Sequence, residues 1–473
     1  MEREFGGIEK LFVELIDRVG EGSNLFKTRS RAGIFSPALT MWLLVNCWAK
    51  GLKGLLCALQ ALGDEEASEV LSRNPMKRTI QMREISQSSG GLSRARQRLE
   101  LKEVTELTSK MNQVLIEERA PQSLWRGRRV YLFDGTVVAL TRNSKIVEQY
   151  KPTRNQHGEA YTPTILCGCC HELFSGIALN PRFGAYRGSE KTHEANLFVE
   201  AMEEIPEKSL LIADRGLGIF PVAYEASRLE HHVLLRLTSV RAKSLAKKAF
   251  NEGEFVDTPV NWKFIRSRME GLGISSDATL AGRFIKWTVL RKGFRSLELF
   301  FFTTSSEPAE ALVALYQQRE RIENDIRTLK HTIGLERLVS KSPKIIGQEL
   351  LLGVLAYNLI RTTIAQAASE LGLEPRKISF TRAVQWIQIF GNQIRDATTP
   401  EQVMKIRERF LTIMYQSKLP NRKNQRIEPR KLAYEKQSYP RMKKSRENEK
   451  NLAMLILEQY GHRGYFTSVT RDY

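Results

Sequence analysis

Cysteine is scarce, with five in 473 residues. That is too few for a disulfide framework, so a reducing compartment is expected. Long apolar runs are lacking as well. The most apolar stretch, MWLLVNCWA at 41–49, falls far short of the ~20 residues a membrane span needs, and Lys50 and Lys53 follow it. A membrane partner is therefore not expected. The charged EREF after Met1 predicts no secretory leader, and together these features place the protein in the cytoplasm. Negative charge is in deficit: 53 Asp and Glu stand against 73 Lys and Arg, a net charge of +20. Such an excess points to a polyanionic partner, and without a membrane signal that partner is nucleic acid. What remains is an ordinary globular composition, 42% apolar and 27% charged, in a chain too long for one core. No internal repeat is visible.

The chain divides into three parts. Residues 1–125 read as helical, with Ser36-Pro37 as a cap and first helical residue, and an apolar helix from Ala38 to Leu62. The later stretch LSRARQRLELKEVTEL holds Arg94, Arg96, Arg98 and Lys102, either as a solvated face or as a helix offering cations to DNA phosphates. From Arg128 the period changes to that of strands. RRVYLFDGTVVAL contains Asp134, and Tyr161–His171 with Leu173–Asn180 read as two strands joined by a tight turn. A helix is expected from Lys191 to Ile205, and SLLIA at 209–213 is a short buried strand ending at Asp214. Strand, strand, strand, helix, strand is an α/β order. Residues 238–305 read as a β-rich insertion inside a unit spanning 126–370. Residues 371–473 are again mainly helical. Within them, 418–446 carries eleven Lys or Arg against two Glu, with three prolines, and reads as an extended basic arm.

Tyr316 to Lys330, YQQRERIENDIRTLK, is the stretch around which the rest is organised. On a helix turning about 100° per residue, Arg319, Glu323 and Lys330 fall at roughly −60°, −20° and −40° from Tyr316. A phenol, a guanidinium, a carboxylate and an ammonium thus share one face. Leu315, Ile322, Ile326, Leu329 and Ile333 take the adjoining face and anchor the helix in a core. Lys330 lies about 10 Å beyond Glu323 at about 1.5 Å per residue, a length suited to an extended polyanion. A merely solvated charged face is the competing reading.

Asp134, Asp214 and Glu323 are candidates for one shared metal site. Carboxylates suit hard ions such as Mg²⁺ or Mn²⁺. An Asp inside an apolar strand needs a reason, because a buried unpaired carboxylate is costly. Two ions held a few ångströms apart are a known device for in-line phosphoryl transfer. Singly, Asp134-Gly135 and Asp214-Arg215-Gly216 are equally readable as strand-end turns.

With these residues in view, the chain resembles a family. Tyr316-x2-Arg319-x3-Glu323-x6-Lys330 is the YREK signature of the bacterial DDE transposases named after insertion sequence four. DGT at 134–136 and DRG at 214–216 look like that family's two Asp motifs, and GQELLLGVLAYNLIR at 347–361 resembles its next helix. Many relatives carry an aromatic soon after the second Asp. Here Leu217 takes that place and Phe220 comes later. The resemblance implies a ribonuclease-H-like (retroviral-integrase-like) catalytic core with a β-rich insertion, flanked by helical N- and C-terminal regions, the first of them DNA-binding. It implies two Mg²⁺ or Mn²⁺ ions on Asp134, Asp214 and Glu323, and transposon-end phosphates on Tyr316, Arg319 and Lys330. Arg236 and Lys292 are weaker phosphate candidates. Trp287 is a candidate to stack on a displaced base, although Trp262 and Trp287 both alternate with apolar neighbours as core residues do. The implied partners are double-stranded DNA, as terminal inverted repeats and target, and a second copy of the chain in a synaptic complex on the bacterial nucleoid. The implied activity is cut-and-paste transposition by strand cleavage and strand transfer. A stand-alone nuclease, a tyrosine recombinase using Tyr316 and a domesticated DNA-binding protein are the alternatives.

Other clusters carry less. Cys167, Cys169, Cys170 and His171 have poor spacing for zinc. Gly216-x-Gly218 lacks the third glycine of a nucleotide loop. Glu190, His193 and Glu194 share one helical turn, as a surface cluster or an auxiliary part of the site. Asp325 lies nearly opposite the signature face.

Overall fold

A computed structural model describes residues 7–20, 35–63, 66–72, 88–119, 124–155, 158–264, 273–289 and 297–420, together with 445, 447–448, 450–452, 454–455 and 458. Lys292 and most of the basic arm 418–446 lie outside the described residues.

Helices α1 (Gly7–Gly20), α2 (Pro37–Ala49), α3 (Gly90–Arg98) and α4 (Leu101–Arg119) come first. Ser36 caps α2 as expected, its hydroxyl accepting the Leu39 N–H at 3.2 Å. The apolar helix expected to run to Leu62 stops instead at Ala49 and restarts at Leu55. Gly51 and Gly54, with φ of 66° and 105°, make that break, in a region that disfavours side-chain-bearing residues. The arginines of α3 are split. Arg94 and Arg98 are exposed, whereas Arg96 turns inward to pair with buried Glu349 at 3.2 Å.

Among the described residues, nine strands form one mixed sheet. In chain order they are β1 (Val130–Ala139), β2 (Pro152–Asn155), β3 (Gly158–Glu172), β4 (Arg182–Ala185), β5 (Leu210–Ala213), β6 (His232–Arg236), β7 (Phe255–Lys263), β8 (Thr279–Val289) and β9 (Leu297–Thr303). The sheet runs β2-β3-β1-β5-β6-β9-β8-β7, with β4 also on β3. β1 is antiparallel to β3 but parallel to β5, and β5 is parallel to β6. The stretch expected to be β-rich, 238–305, carries β7, β8 and β9, and β9 pairs with β6, so these strands continue the central sheet. The strand expected at Leu173–Asn180 does not form, apart from a bridge between His171 and Ala178. Side chains bond part of its backbone instead. Glu172 accepts the N–H groups of Phe174 and Ser175, and Asn358 bonds both the N–H and the C=O of Ala178.

Helices α5 (Glu194–Met202) and α6 (Phe220–Arg228) pack beside the sheet. Phe133 of β1 stacks on Phe198 of α5, ring centres 4.3 Å apart. By strand alternation Leu132 and Asp134 point to the opposite face. There lies the stretch expected as one long helix. It is a composite: α7 (Ala309–Tyr316), a 3₁₀ turn over Gln317–Arg319, α8 (Glu320–Arg327) and a π-helical turn over Thr328–Ile333, ended by Gly334 in the left-handed region. The tight turn rotates the chain further per residue and the wide turn less, so their effects on the polar row oppose each other.

Helix α9 (Pro343–Glu370) is long and apolar enough to cross a membrane, but it is almost wholly buried within the protein. It packs on α4 and α2 and forms the spine of the helical part. Each fully buried Leu or Ile along it contributes roughly 1.5–3 kcal/mol. Helices α10 (Phe380–Asp396) and α11 (Pro400–Gln416) follow. A capping box at Thr399 and Gln402 starts α11.

The N-terminal helix α1 carries a titratable contact. Glu9 accepts the N–H groups of Glu69 at 3.0 Å and Val70 at 3.1 Å. Burial pushes its carboxyl up to about 7 from 4.5. The folded chain therefore holds this proton more tightly than the unfolded chain. Ionised Glu9 is a cost that grows as pH rises through that window and is constant above it. Glu9→Gln keeps an acceptor and removes the charge. Urea unfolding should show about 1–3 kcal/mol of stabilisation at pH 8 and much less at pH 5. An equal effect at both pH values would rule this account out.

Candidate active site

The first two acids are brought together by strand pairing. β1 and β5 are adjacent and parallel, with Leu132 opposite Ile212. Asp134 and Asp214 each lie two residues beyond that pair, on the same side of the sheet by alternation. Parallel neighbours are about 4.8 Å apart, so the two side chains are neighbours. Asp214 lies just past the end of its strand, where its Oδ1 accepts the N–H groups of Gly216 at 2.7 Å and Leu217 at 3.2 Å. That turn also disposes of the nucleotide-loop reading. A Cβ on Gly218 would lie 2.1 Å from the Arg236 carbonyl oxygen, so this glycine serves close backbone approach.

The third acid arrives on α8. Arg319 Nη2 donates to Glu323 Oε1 at 2.9 Å, and its Nη1 lies 3.9 Å from Asp134 Oδ2. One planar guanidinium therefore spans both carboxylates and keeps those oxygens within about 9 Å of each other. Arg319 thus faces the carboxylates, not solvent. The Glu323 side chain is half exposed (53%), whereas Asp134 is more enclosed (26%).

Electrostatics mark the place as crowded with negative charge. Burial pushes the Asp134 carboxyl above its ordinary range; Arg319 opposes this, while the charges of Asp214 and Glu323 add to it. Glu194 at the start of α5 is pushed up to about 7, by burial first and then by the charge of Asp134. Its Oε1 accepts the Gly135 N–H at 2.6 Å. Of the surface cluster expected at Glu190, His193 and Glu194, Glu194 thus turns to the site. The signal was a glycine inside an apolar strand, which marks close approach of another group. Among the described residues no three acidic, His or Cys side chains already form a metal cage. A cation already lies between two of the acids, however: the Arg319 guanidinium. Hard oxygen donors, mutual repulsion and a guanidinium drawn between them fit a divalent ion.

The remaining signature residues differ in setting. Tyr316, expected on an outward rim, is buried, with its ring edge-on to Phe301 at 4.8 Å. It is the last residue of α7, and the 3₁₀ turn after it redirects the chain. Among the described residues its hydroxyl has no well-formed hydrogen bond, although the Arg236 guanidinium lies beside it. Burial holds the phenol above its ordinary pKa, with Arg319 and Arg236 opposing. Lys330 is half-buried in the π turn, with no ion-pair partner among the described residues. Arg241, which composition gave no reason to select, donates to the Arg215 carbonyl at 2.7 Å and faces Asp214. Trp262 is buried against Phe302 and Phe220. Trp287 is half-buried, edge-on to exposed Phe255 at 5.2 Å.

Asp325 proves not to compete with Glu323. It is fully buried, bonded to Arg376 at 2.8 and 2.7 Å, Arg361 at 3.0 Å and Tyr357 at 3.2 Å. This network holds α8 against α9 from the side opposite the site.

Residues 125–359 match the family described as Transposase DDE domain. The chain is 26% identical over 354 residues to Transposase InsG for insertion sequence element IS4 of Escherichia coli (strain K12), an alignment covering 73% of this chain and 76% of that relative. The chain thus carries a transposase DDE domain over residues 125–359 and is similar, along most of its length, to the transposase of an insertion sequence, that of IS4.

Proposed function

We propose that the protein carries out cut-and-paste transposition of an insertion sequence, cleaving DNA at terminal inverted repeats and joining the freed ends to target DNA, with Asp134, Asp214 and Glu323 as its catalytic acids. What supports this reading is the nearness of those three acids, with Arg319 between Asp134 and Glu323 and the strand of Asp134 running beside and parallel to the strand that leads to Asp214. A ribonuclease-H-like core accords with the strand order β4-β3-β1-β5-β6, antiparallel on one side of β1 and parallel on the other.

Asp134, Asp214 and Glu323 would hold divalent cations, which when bound activate an attacking oxygen and stabilise a leaving one. The chain's own residues do the rest. Arg319 neutralises Asp134 and Glu323, and its remaining N–H groups are suited to a phosphate. Tyr316, with its proton tightly held, offers a hydroxyl donor and is unsuited to attack phosphorus. Arg236 stands behind that hydroxyl. Lys330 supplies a point charge further along the same run. Every step is a displacement at phosphorus, so one set of acids serves both cleavage and strand transfer. Synapsis of two ends would use a second copy of the chain, on DNA in the bacterial cytoplasm.

The test is incubation of the protein with the element's own terminal repeats and Mg²⁺. Cuts mapped to the repeat ends, leaving 3′-hydroxyls, are expected. Cuts scattered along the DNA would favour a stand-alone nuclease.

A further inference from the structure

The sheet has a notch beneath the N-terminus of α5. Gly135 of β1 and Gly168 of β3 stand directly opposite each other in the ladder. A Cβ on Gly168 would meet Phe133 Cζ at 2.6 Å and Leu197 Cβ at 3.0 Å. A Cβ on Gly135 would meet Glu194 Cδ at 2.7 Å and Oε1 at 2.8 Å. The space a side chain would need at 135 is therefore filled by the Glu194 carboxyl. From there Glu194 Oε1 accepts the Gly135 N–H at 2.6 Å. The same N–H is shared with Asp134 Oδ1, which accepts it at the longer distance of 3.0 Å. Two carboxylates compete for one amide, and Glu194 has the shorter bond.

We infer that Glu194 is a positioning residue for Asp134: by taking the shorter bond from the shared Gly135 amide it weakens that amide's hold on Asp134 Oδ1 and fixes the backbone beneath the carboxylate, and so presents its oxygens to a cation. The inference rests on the reading of Asp134 as a cation ligand. It accounts for Gly135 by close approach, since any larger residue there expels Glu194. The role depends on reach. Gln at 194 has the same length and an equivalent acceptor, whereas Asp is one methylene too short and Ala has no acceptor. A general need for negative charge would rank these variants the other way, with Asp above Gln.

The experiment is Mn²⁺ binding to the full chain without DNA, followed by electron paramagnetic resonance, with thermal unfolding of each variant alongside. The parent should bind Mn²⁺, and Asp134→Asn should abolish binding. Failure of either overturns the site reading, and this inference with it. Glu194→Gln should bind within about threefold of the parent, and Glu194→Asp and Glu194→Ala about tenfold more weakly, as losing the support behind a metal ligand typically does. Gly135→Ala should reproduce the loss in the parent and add nothing in the Glu194→Ala background. Glu194→Asp binding like the parent overturns the inference, as does Glu194→Gln falling as far as Glu194→Ala. If Glu194→Ala fails to fold, the Gln and Asp variants still decide, since both keep a polar group in the notch.

Discussion

Replacing Glu323 with Gln is expected to abolish cleavage of a transposon end, by roughly 10³-fold or more, about 4 kcal/mol of barrier at 1.36 kcal/mol per decade. Binding of the end should survive within about twofold, because phosphate contacts and counterion release set affinity. The change preserves shape. Gln keeps an oxygen that can accept from Arg319 Nη2, now 2.9 Å from Glu323 Oε1, and the side chain is half exposed, so no core is disturbed. What it removes is one negative charge from a group of acids drawn around a cation. Single-turnover cleavage and a gel-shift titration on the same preparation separate the two effects. Tyr316→Phe is the companion variant. It retains the packing on Phe301 and loses a hydroxyl that makes no well-formed bond, so the fold should be nearly unaffected. Cleavage should fall about tenfold, not vanish, as for loss of one hydrogen bond to a phosphate. A dead Tyr316→Phe protein, with the parent trapped covalently on DNA, would overturn the carboxylate mechanism in favour of a tyrosine recombinase.

The largest loss of stability should follow Asp325→Ala. Asp325 is buried among two guanidinium groups, and removing it leaves Arg361 and Arg376 without a counter-charge where water cannot replace it. Breaking one partner of such a group costs about 3–5 kcal/mol. Urea unfolding by circular dichroism should show that loss, or no folded protein at all. Asp325→Leu combined with Arg376→Met should lose much less than the two single changes added together, because the cost lies in the stranded charge. A loss below about 1 kcal/mol for Asp325→Ala would show that water or other groups compensate, against this account. Acidity should act through the same residue. Burial alone would raise the Asp325 carboxyl, but Arg376, His171 and Arg361 outweigh it and hold it below its ordinary range. The stability it supplies is thus fully present above the unfolded value of about 4 and is lost as pH falls through the lower folded value.

These two residues stand two positions apart on one short helix, and they show what the linear chain encodes well. The spacing of Ile322, Ile326 and Leu329 sets which side of that helix is buried, and the spacing of Arg319 and Glu323 sets which side is polar. Both depend only on turns of a few residues. The same holds for Leu210–Ala213, whose unbroken apolar run makes a buried strand, and for the Ser36 cap. Asp325, placed by spacing nearly opposite Glu323, could be set apart from the site in this way, but its partners could not be named.

Everything that needed two distant segments at once lay beyond local spacing. The nearness of Asp134 and Asp214 follows from the parallel register of β1 and β5, which a crossover through β3, β4 and α5 allows. Arg96 was indistinguishable from Arg94 and Arg98 until Glu349 of α9 came to lie beside it. The segment 173–180 has strand-like residues, yet Asn358 and Glu172 bond part of its backbone and only a single bridge forms. Gly135 read as part of a turn, while its function in the fold is to admit Glu194. Local periodicity determines which face of each element is apolar. Which face meets which, and which charge then finds a partner, depends on burial of the whole chain, where an unpaired polar group is costly enough to select one arrangement.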